Sequence, residues 1–342
     1  MIWKDPNPFN SIDPNDRRLS SYIKDLDLGL TNADSEQQNN SKTPGLLSYG
    51  DDLGIVINKG RLGAHLAPNY IRKYLYRMTP WHNDTTNSLD SILLYDYGTT
   101  SIQNKISPLN STPEELQNLI NENHKSAQAR AAQILPKGPL ITIGGGHDYG
   151  YCDGSAFLDN FKNEHHKPVI INFDAHLDVR PNNWGNSSGT PFYRLLTEYK
   201  NQFEFIEWGI QAQCNQPSHR EWAESQGATI VTLDTIRMTD SLSLLKSVIK
   251  NSSRTQKCFI SLDIDVFSQS LAPGCSQSWD GGLTYAEITP VIDWLIENKE
   301  VHLFSIYEVS PPLDFDDRTS KLAAQLIYNY LKKLSSKLAK KN

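Results

Sequence analysis

Cysteine is scarce in this chain of 342 residues, and the four cysteines that occur form no CxxC pair. They are widely spaced, at Cys152, Cys214, Cys258 and Cys275. A disulfide framework, or a zinc site made of thiolates, needs closely paired cysteines. The sequence therefore argues against both, and we expect reduced structural thiols.

The chain also lacks an excess of positive charge and long apolar runs. Its 33 basic and 39 acidic side chains give a net charge of −6, so polyanion binding has no compositional support. Apolar runs such as VII at 169–171 fall far short of the roughly 18 residues that span a bilayer. The first residues, MIWKDPNPFNSIDPND, show no apolar signal region. We therefore expect a cytoplasmic protein that binds neither nucleic acid nor a membrane.

From residue 46 onward, short apolar runs alternate with longer amphipathic stretches. We predict strands in SILLYDYG, PLITIGGG, PVIINFDAH, FEFIEWGI, ATIVTLD, KCFISLDID and HLFSIYEVS. We predict helices at 66–77, 113–134, 189–200, 217–226, 285–297 and 318–340. Strands separated by helices form βαβ units, which give a parallel sheet covered on both faces. The prediction is a single α/β domain over 1–342, a three-layer α/β/α sandwich with a mainly parallel central sheet and an irregular N-terminal segment at about 1–45.

Histidine and aspartate side chains follow three of the predicted strands, where ligands bind in open α/β sheets. They are His147 after PLITI, Asp174, His176 and Asp178 after VIINF, and Asp263 and Asp265 after CFISL. Two imidazoles and four carboxylates suffice for two ions if a carboxylate bridges, and such donors favour manganese or a similar divalent ion. Each aspartate alone more often caps a helix or binds loop amides. Because four clustered carboxylates would repel one another without cations, the six together favour a binuclear metal site.

The motifs around these residues carry a family resemblance. GGGHD, NFDAHLDVRP and SLDID followed by SQSLAPGCSQSWDGGLT resemble the signature segments of the ureohydrolase superfamily, which includes arginase, agmatinase and formiminoglutamase. NKGRLGAHLAPNYIRKYL and YEVSPPLDFDDRTSKLAAQLIY extend the resemblance over most of the chain. The resemblance implies an arginase-like fold and a homo-oligomer.

The same resemblance implies two manganese ions. The first would be held by His147, Asp174, Asp178 and Asp263, and the second by Asp174, His176, Asp263 and Asp265, so that Asp174 and Asp263 bridge. A water activated between the ions would attack the planar carbon of a guanidinium or amidinium group.

Three acidic residues would act on the substrate in this scheme. Asp178 or Asp265 would accept a proton from the activated water. Glu308, in SIYEVSPPL, corresponds to the acid that pairs with the cationic head of the substrate. The alternative for Glu308 is a cap at the end of a strand.

The substrate loop resembles that of formiminoglutamase. Arginases and agmatinases carry a histidine where this chain has Ser188, before Gly189 of GTPF. Arg180 after DAHLDV, the GGGH form of the first motif and GIQAQCNQPSHREWAESQG point the same way. This implies hydrolysis of N-formimino-L-glutamate to L-glutamate and formamide in histidine degradation. Ser188 and Gly189 would then lie in the substrate site, with Arg180 and Arg194 near the two carboxylates of the tail.

Two alternatives stay open. Tyr193 follows GTPF, where many formiminoglutamases have arginine, and Arg194 comes one residue later. Because a shift of one residue on a helix turns a side chain by about 100°, the direction of Arg194 is open, and either arginine can instead make a surface ion pair. The runner-up function is a ureohydrolase of the arginase, agmatinase or guanidinase type that acts on another guanidino or amidino compound. The other alternative is a non-catalytic metal-binding protein.

Overall fold

The computed structural model describes residues 17–26, 43–80, 93–100 and 111–339. Nine strands in these ranges form one sheet: β1 Ile23–Asp25, β2 Gly45–Tyr49, β3 Leu94–Thr100, β4 Leu140–Ile143, β5 Val169–Phe173, β6 Glu204–Ile210, β7 Thr229–Thr232, β8 Lys257–Asp263 and β9 Glu300–Tyr307. Their order is β1-β3-β2-β4-β9-β8-β5-β6-β7. All pairings are parallel.

The described α-helices are α1 Leu53–Ile57, α2 Ala67–Leu75, α3 Pro113–Ile134, α4 Tyr149–Phe161, α5 Pro191–Glu198, α6 Pro217–Ser225, α7 Leu233–Met238, α8 Ser241–Val248, α9 Tyr285–Asn298 and α10 Arg318–Ala339. Helix α3 begins where the side chains of Thr112 and Glu115 each bind the other's backbone N–H, with Pro113 in the first turn. In the described ranges, no helix combines the length and apolar character that a membrane crossing requires.

Helices cover both faces of the sheet. Ile171 on β5 packs in a cluster with Ile71 of α2 and Leu295 of α9. Its neighbour Ile170 points to the other face, into a cluster with Phe157 of α4. Alternate residues of a strand face opposite sides, so a strand buried on both sides is apolar throughout. The predicted three-layer α/β/α architecture is confirmed.

The seven predicted strands and six predicted helices all occur, with shifted ends in most of them. The prediction missed β1, β2, α1, α4, α7 and α8. Helix α4 is buried on nearly every side, so it has no polar face to give an amphipathic period. The short β1 lies within the segment that we expected to be irregular, and most of that segment lies outside the described residues.

The strand order explains where the predicted site residues meet. Strands β4, β9, β8 and β5 are consecutive neighbours in the middle of the sheet. The loop after β4 carries His147, β9 leads into Glu308, β8 ends at Asp263 and β5 leads into Asp174. Because these strands are parallel and adjacent, the four side chains emerge at one edge of the sheet.

Candidate active site

His147 lies at the centre of a group of carboxylates. Its Nδ1 is 3.0 Å from Oδ2 of Asp174, 3.0 Å from Oδ2 of Asp178 and 3.2 Å from Oδ2 of Asp263. This buried nitrogen nevertheless makes no well-formed hydrogen bond. Its Nε2 lies 3.0 Å from Oγ of Ser261, which can accept a hydrogen and so leave the lone pair on Nδ1. A nitrogen lone pair and three carboxylate oxygens that converge in this way fit a shared cation.

A second group adjoins the first through Asp174. The Nδ1 of His176 lies 2.9 Å from Oδ2 of Asp265 and 3.6 Å from Oδ1 of Asp174. Asp174 therefore turns one oxygen toward His147 and the other toward His176, as a bridging ligand does. Asp263 joins the first group by ligand-atom distances and not the second, and its Oδ1 accepts a hydrogen bond from the Asp265 backbone N–H at 2.9 Å. The predicted bridging role of Asp263 stays a prediction.

The negative charges of the carboxylates in this cluster repel one another strongly. Burial, and then the neighbouring carboxylates, raise the pKa values of Asp178 and Asp263. Burial also raises the pKa of Asp265 to about 6, despite the opposing effect of His176. Asp174 is buried too, but the adjacent imidazoles of His147 and His176 hold its pKa below the usual value. Divalent cations would favour the ionised form of all four carboxyl groups, so the residues present fit such ions.

Glu308 is held in an unusual backbone conformation. Its φ is 65° and that of Asp178 is 47°, both in the left-handed region that ordinary side chains rarely adopt. The Oε1 of Glu308 accepts a hydrogen bond from the His147 backbone N–H at 3.0 Å, and its own N–H donates to the Gly145 oxygen at 2.9 Å. Gly145 must lack a side chain, because a Cβ there would lie 1.4 Å from the backbone oxygen of Asp51. Glu308 therefore serves as a strand-end acceptor and also borders the cavity described next.

The two groups open into a cavity of about 840 Å³. Its buried lining residues include the acidic Asp263, Asp265 and Glu308, and with the partly exposed Asp178 and His176 they form what we call the buried end. Residues of the open end include Asn58, Arg180, Trp184 and the half-buried His219, and the Trp184 side chain is 94% exposed. The cavity therefore has an acidic buried end and a basic residue at its opening.

The predicted substrate residues around GTPF take different places. Arg180 and Ser188 line the cavity, and Ser188 Oγ accepts a hydrogen bond from Asn58 Nδ2 at 3.1 Å. Gly189 accepts a backbone hydrogen bond from Arg180 at 2.9 Å. A Cβ at Gly189 would lie 3.0 Å from Cδ of Arg180, so the glycine provides space for the arginine side chain.

Arg194 points elsewhere. Its guanidinium carbon lies 3.2 Å from the ring centroid of Tyr151, and its Nη1 lies 3.3 Å from Nδ1 of His124. Neither Arg194 nor Tyr193 lines the cavity. Within the described chain, Arg180 is the one arginine or lysine that does.

Three further residues at this site had been given no functional role from the sequence, and one of them, His219, was expected to be an ordinary solvated or core histidine. Asn215 accepts from the Leu177 N–H at 2.8 Å and donates to the Ala175 oxygen at 2.9 Å, so it braces the segment that carries the metal-type ligands. Trp184 and His219 border the opening. Asn215 and His219 lie in GIQAQCNQPSHREWAESQG, where no spacing rule marks individual residues.

Comparisons with known proteins agree with this geometry. The model of the Arginase family matches residues 53–332. The formimidoylglutamase of Vibrio vulnificus (strain CMCP6) is 29% identical over 309 residues, covering 86% of this chain and 85% of that protein. The solved structure of Bacillus subtilis formimidoylglutamase matches with a TM-score of 0.77 at 27% identity, over 94% of this chain and 93% of that one. Trypanosoma cruzi formiminoglutamase with Mn²⁺ matches in fold, with a TM-score of 0.73 at 23% identity, over 94% and 99%. The parallel sheet and its flanking helices therefore have an arginase-like architecture.

Proposed function

The chain belongs to the arginase family of hydrolases, which act on amidino or guanidino C–N bonds, and from that premise we propose that it is a formimidoylglutamase. It would use two manganese ions to convert N-formimino-L-glutamate and water to L-glutamate and formamide, a step of histidine degradation. The observation that carries this proposal is the polarity of the cavity, with Glu308 at its buried end and Arg180 at its opening. This polarity matches a substrate that has a cationic head and an anionic tail.

The donor set supports two hard divalent cations. His147, Asp174, Asp178 and Asp263 would hold one ion, and Asp174, His176 and Asp265 would hold the other together with Asp263, as the sequence predicts. Oxygen and imidazole donors without thiolate suit manganese. The Trypanosoma cruzi relative with Mn²⁺ supports the same choice. When bound, the ions would let water act as a nucleophile near neutral pH.

The acidic residues of the cavity would orient the head group and handle a proton. Glu308 would pair with the amidinium, and its hydrogen bond from the His147 N–H fixes where this carboxylate lies. The water oxygen adds to the formimino carbon, the bond from that carbon to the glutamate nitrogen breaks, and the leaving amine gains a proton. Asp178 or Asp265 would accept the proton that the water releases.

The tail would bind at the opening. Arg180 is exposed, and no hydrogen bond to its guanidinium is found within the described chain, so its donors are free for a substrate carboxylate. Ser188 and Gly189 would shape the neighbouring wall, Ser188 through Asn58 and Gly189 through the space that it leaves for Arg180.

One observation favours the runner-up, a ureohydrolase of another guanidino or amidino compound. Formiminoglutamate has two carboxylates, whereas one arginine lines the cavity in the described chain and Arg194 is turned toward Tyr151. A substrate with a single carboxylate would need only Arg180. The two functions therefore differ in the number of carboxylates that the opening must bind.

A substrate screen tests the proposal. Manganese-loaded protein is incubated with formiminoglutamate, arginine, agmatine and simple guanidines, and formamide, urea and bound metal are measured. We expect two manganese ions per chain and formamide from formiminoglutamate well above any other turnover. Urea from a guanidino compound, without formamide, would establish the runner-up. Two bound ions without turnover of any compound would establish a non-catalytic metal protein.

A further inference from the structure

A buried carboxylate outside the cavity accepts hydrogen bonds from four hydroxyl groups. The carboxylate belongs to Asp153 on α4. It accepts hydrogen bonds from the hydroxyls of Tyr49 at 2.5 Å, Thr142 at 2.5 Å, Ser305 at 3.1 Å and Tyr307 at 2.5 Å. The four donors come from β2, β4 and β9. We call these five residues the Asp153 cluster.

Stability alone gives a weak reason for such a cluster. Asp153 is fully buried, and its hydrogen-bond partners in the described chain are all uncharged hydroxyls. Burying a carboxylate has a large desolvation penalty, which apolar packing at the same place would avoid. A fully satisfied polar network does, however, fix the positions of its members more sharply than apolar packing. The cluster is therefore expected to hold a particular neighbouring group in position.

Tyr307 connects the cluster to the candidate metal centre. Its ring stacks on the imidazole of His147, with centroids 4.8 Å apart and an interplanar angle of 27°. Phe192 contacts the same imidazole edge-on at 5.3 Å. Tyr307 is also the last residue of β9, directly before Glu308. Gly144 leaves the space for this ring, because a Cβ there would lie 2.2 Å from Cδ1 of Tyr307.

We propose that Asp153 is a positioning residue which, through the hydroxyl of Tyr307, fixes the His147 imidazole and the backbone entry to Glu308. The ring orientation determines whether Nδ1 of His147 faces the carboxylates of the first metal group. Residues that orient a ligand contribute to metal affinity without touching the ion. The inference rests on the proposed function, since it takes His147 as a metal ligand.

Tyr49 supplies a matched control. It donates to the same carboxylate at the same 2.5 Å, but its ring stacks on Tyr149, with centroids 4.5 Å apart, and not on His147. Tyr49→Phe removes the hydrogen bond to Oδ1 of Asp153, and Tyr307→Phe removes one of the three hydrogen bonds to Oδ2. Only Tyr307→Phe loosens a ring that contacts the candidate metal centre.

The experiment measures manganese binding to the full chain by titration calorimetry, and the coupling of the two ions by electron paramagnetic resonance. We expect Tyr307→Phe to raise the dissociation constant of one of the two ions at least about tenfold, and to leave that of the other within about twofold of the wild-type value. Tyr49→Phe should lower thermal stability at least as much as Tyr307→Phe does, because it removes the donor to Oδ1, and should bind both ions as the wild type does. Asp153→Asn, a second route to the same loss, should weaken the same ion as Tyr307→Phe.

The outcomes separate the inference from the function on which it rests. Unchanged affinities in Tyr307→Phe, or an equal loss in Tyr49→Phe, would overturn the positioning role while wild-type metal binding stood. If Tyr307→Phe fails to fold, Asp153→Asn with normal affinity for both ions would overturn it as well. A wild-type chain that binds no ion would instead overturn the proposed function, and the inference with it.

Discussion

The two ends of the cavity are built on different principles. At the buried end, Asp263 and Glu308 are almost inaccessible to solvent, and each is tied to His147 or to neighbouring backbone. At the open end, Arg180 and Trp184 are exposed, and their side chains make no hydrogen bond within the described chain. One end is therefore organised in advance, while the other gains its partners from what binds there.

The two ends are therefore expected to contribute to different steps, metal binding at the buried end and substrate recognition at the open end. Charges interact strongly in a buried, low-dielectric environment, so the buried end needs fixed geometry and compensating cations. Charges at the open end are screened by water and salt, and they contribute mainly to recognition. Substitutions at the buried end should therefore affect metal content and kcat, and those at the open end should affect KM.

The largest effect should come from Asp263→Ala. The change removes a carboxylate beside His147 and the acceptor of the Asp265 N–H, so we expect both ions to be lost and activity to fall at least about a thousandfold. Metal analysis after dialysis checks this, with exposed Asp234→Ala as the control. Full metal occupancy in Asp263→Ala would contradict the ligand assignment.

Glu308→Gln separates substrate orientation from metal binding at the same end. The amide oxygen can still accept from the His147 N–H, but the negative charge opposite the amidinium is lost. We expect kcat/KM to fall by about a hundredfold to a thousandfold, with two ions retained. Steady-state kinetics and metal content are measured on one preparation. A loss of less than about threefold would remove Glu308 from the substrate site.

His302 lies near the start of β9, at the opposite end of the strand from Glu308. It tests whether burial alone, away from the candidate site, shifts the pKa of a histidine strongly. Burial lowers its pKa to about 4, although its Nε2–H donates to the Leu135 oxygen at 2.9 Å. Because the unfolded chain takes up this proton near pH 6.5 and the folded chain only near 4, stability should fall through that window by at most about 3 kcal/mol.

The measured quantity is the loss of unfolding free energy between pH 7 and pH 4, compared between the wild type and His302→Gln. The variant should lose less stability than the wild type between pH 7 and pH 4 in urea unfolding, with unchanged kcat at pH 7. Because both proteins carry the same candidate-site carboxylates, the difference between the two proteins removes the contribution of those carboxylates to the pH dependence. Equal acid sensitivity of the two proteins would contradict the lowered pKa.

The smallest effect should come from the open end. Arg180→Ala should raise KM for a dicarboxylate substrate about tenfold to a hundredfold, because it removes a charge-assisted hydrogen bond, and should change KM for a tail-less amidine little. Trp184→Ala, on the same loop but uncharged, serves as the control, with an expected change below about threefold for both. Equal effects of Arg180→Ala on both substrates would exclude it from tail binding.

The buried end was the part most open to prediction. Its histidine and aspartate side chains follow apolar strands, and that pattern depends on local sequence alone. The direction of Arg194 was not predictable, because its contacts with Tyr151 and His124 depend on helices α3 and α4 lying beside α5. Helix α4 itself was missed, since a segment buried on nearly every side has no polar face to reveal it. The Asp153 cluster was equally hidden, because its members lie up to 258 positions apart, from Tyr49 to Tyr307.

The amino-acid sequence by itself determined which metal-type side chains follow the apolar runs, and its motifs indicated the arginase family. The alternation of those runs with amphipathic stretches also indicated a parallel sheet covered by helices. Only the tertiary structure decided that β4, β9, β8 and β5 are adjacent, that Asp174 turns an oxygen to each of His147 and His176, and that Arg180 lines the opening while Arg194 does not. The reason is that local patterns depend on short-range sterics and hydrophobicity, whereas distances between ligands depend on how distant strands pack.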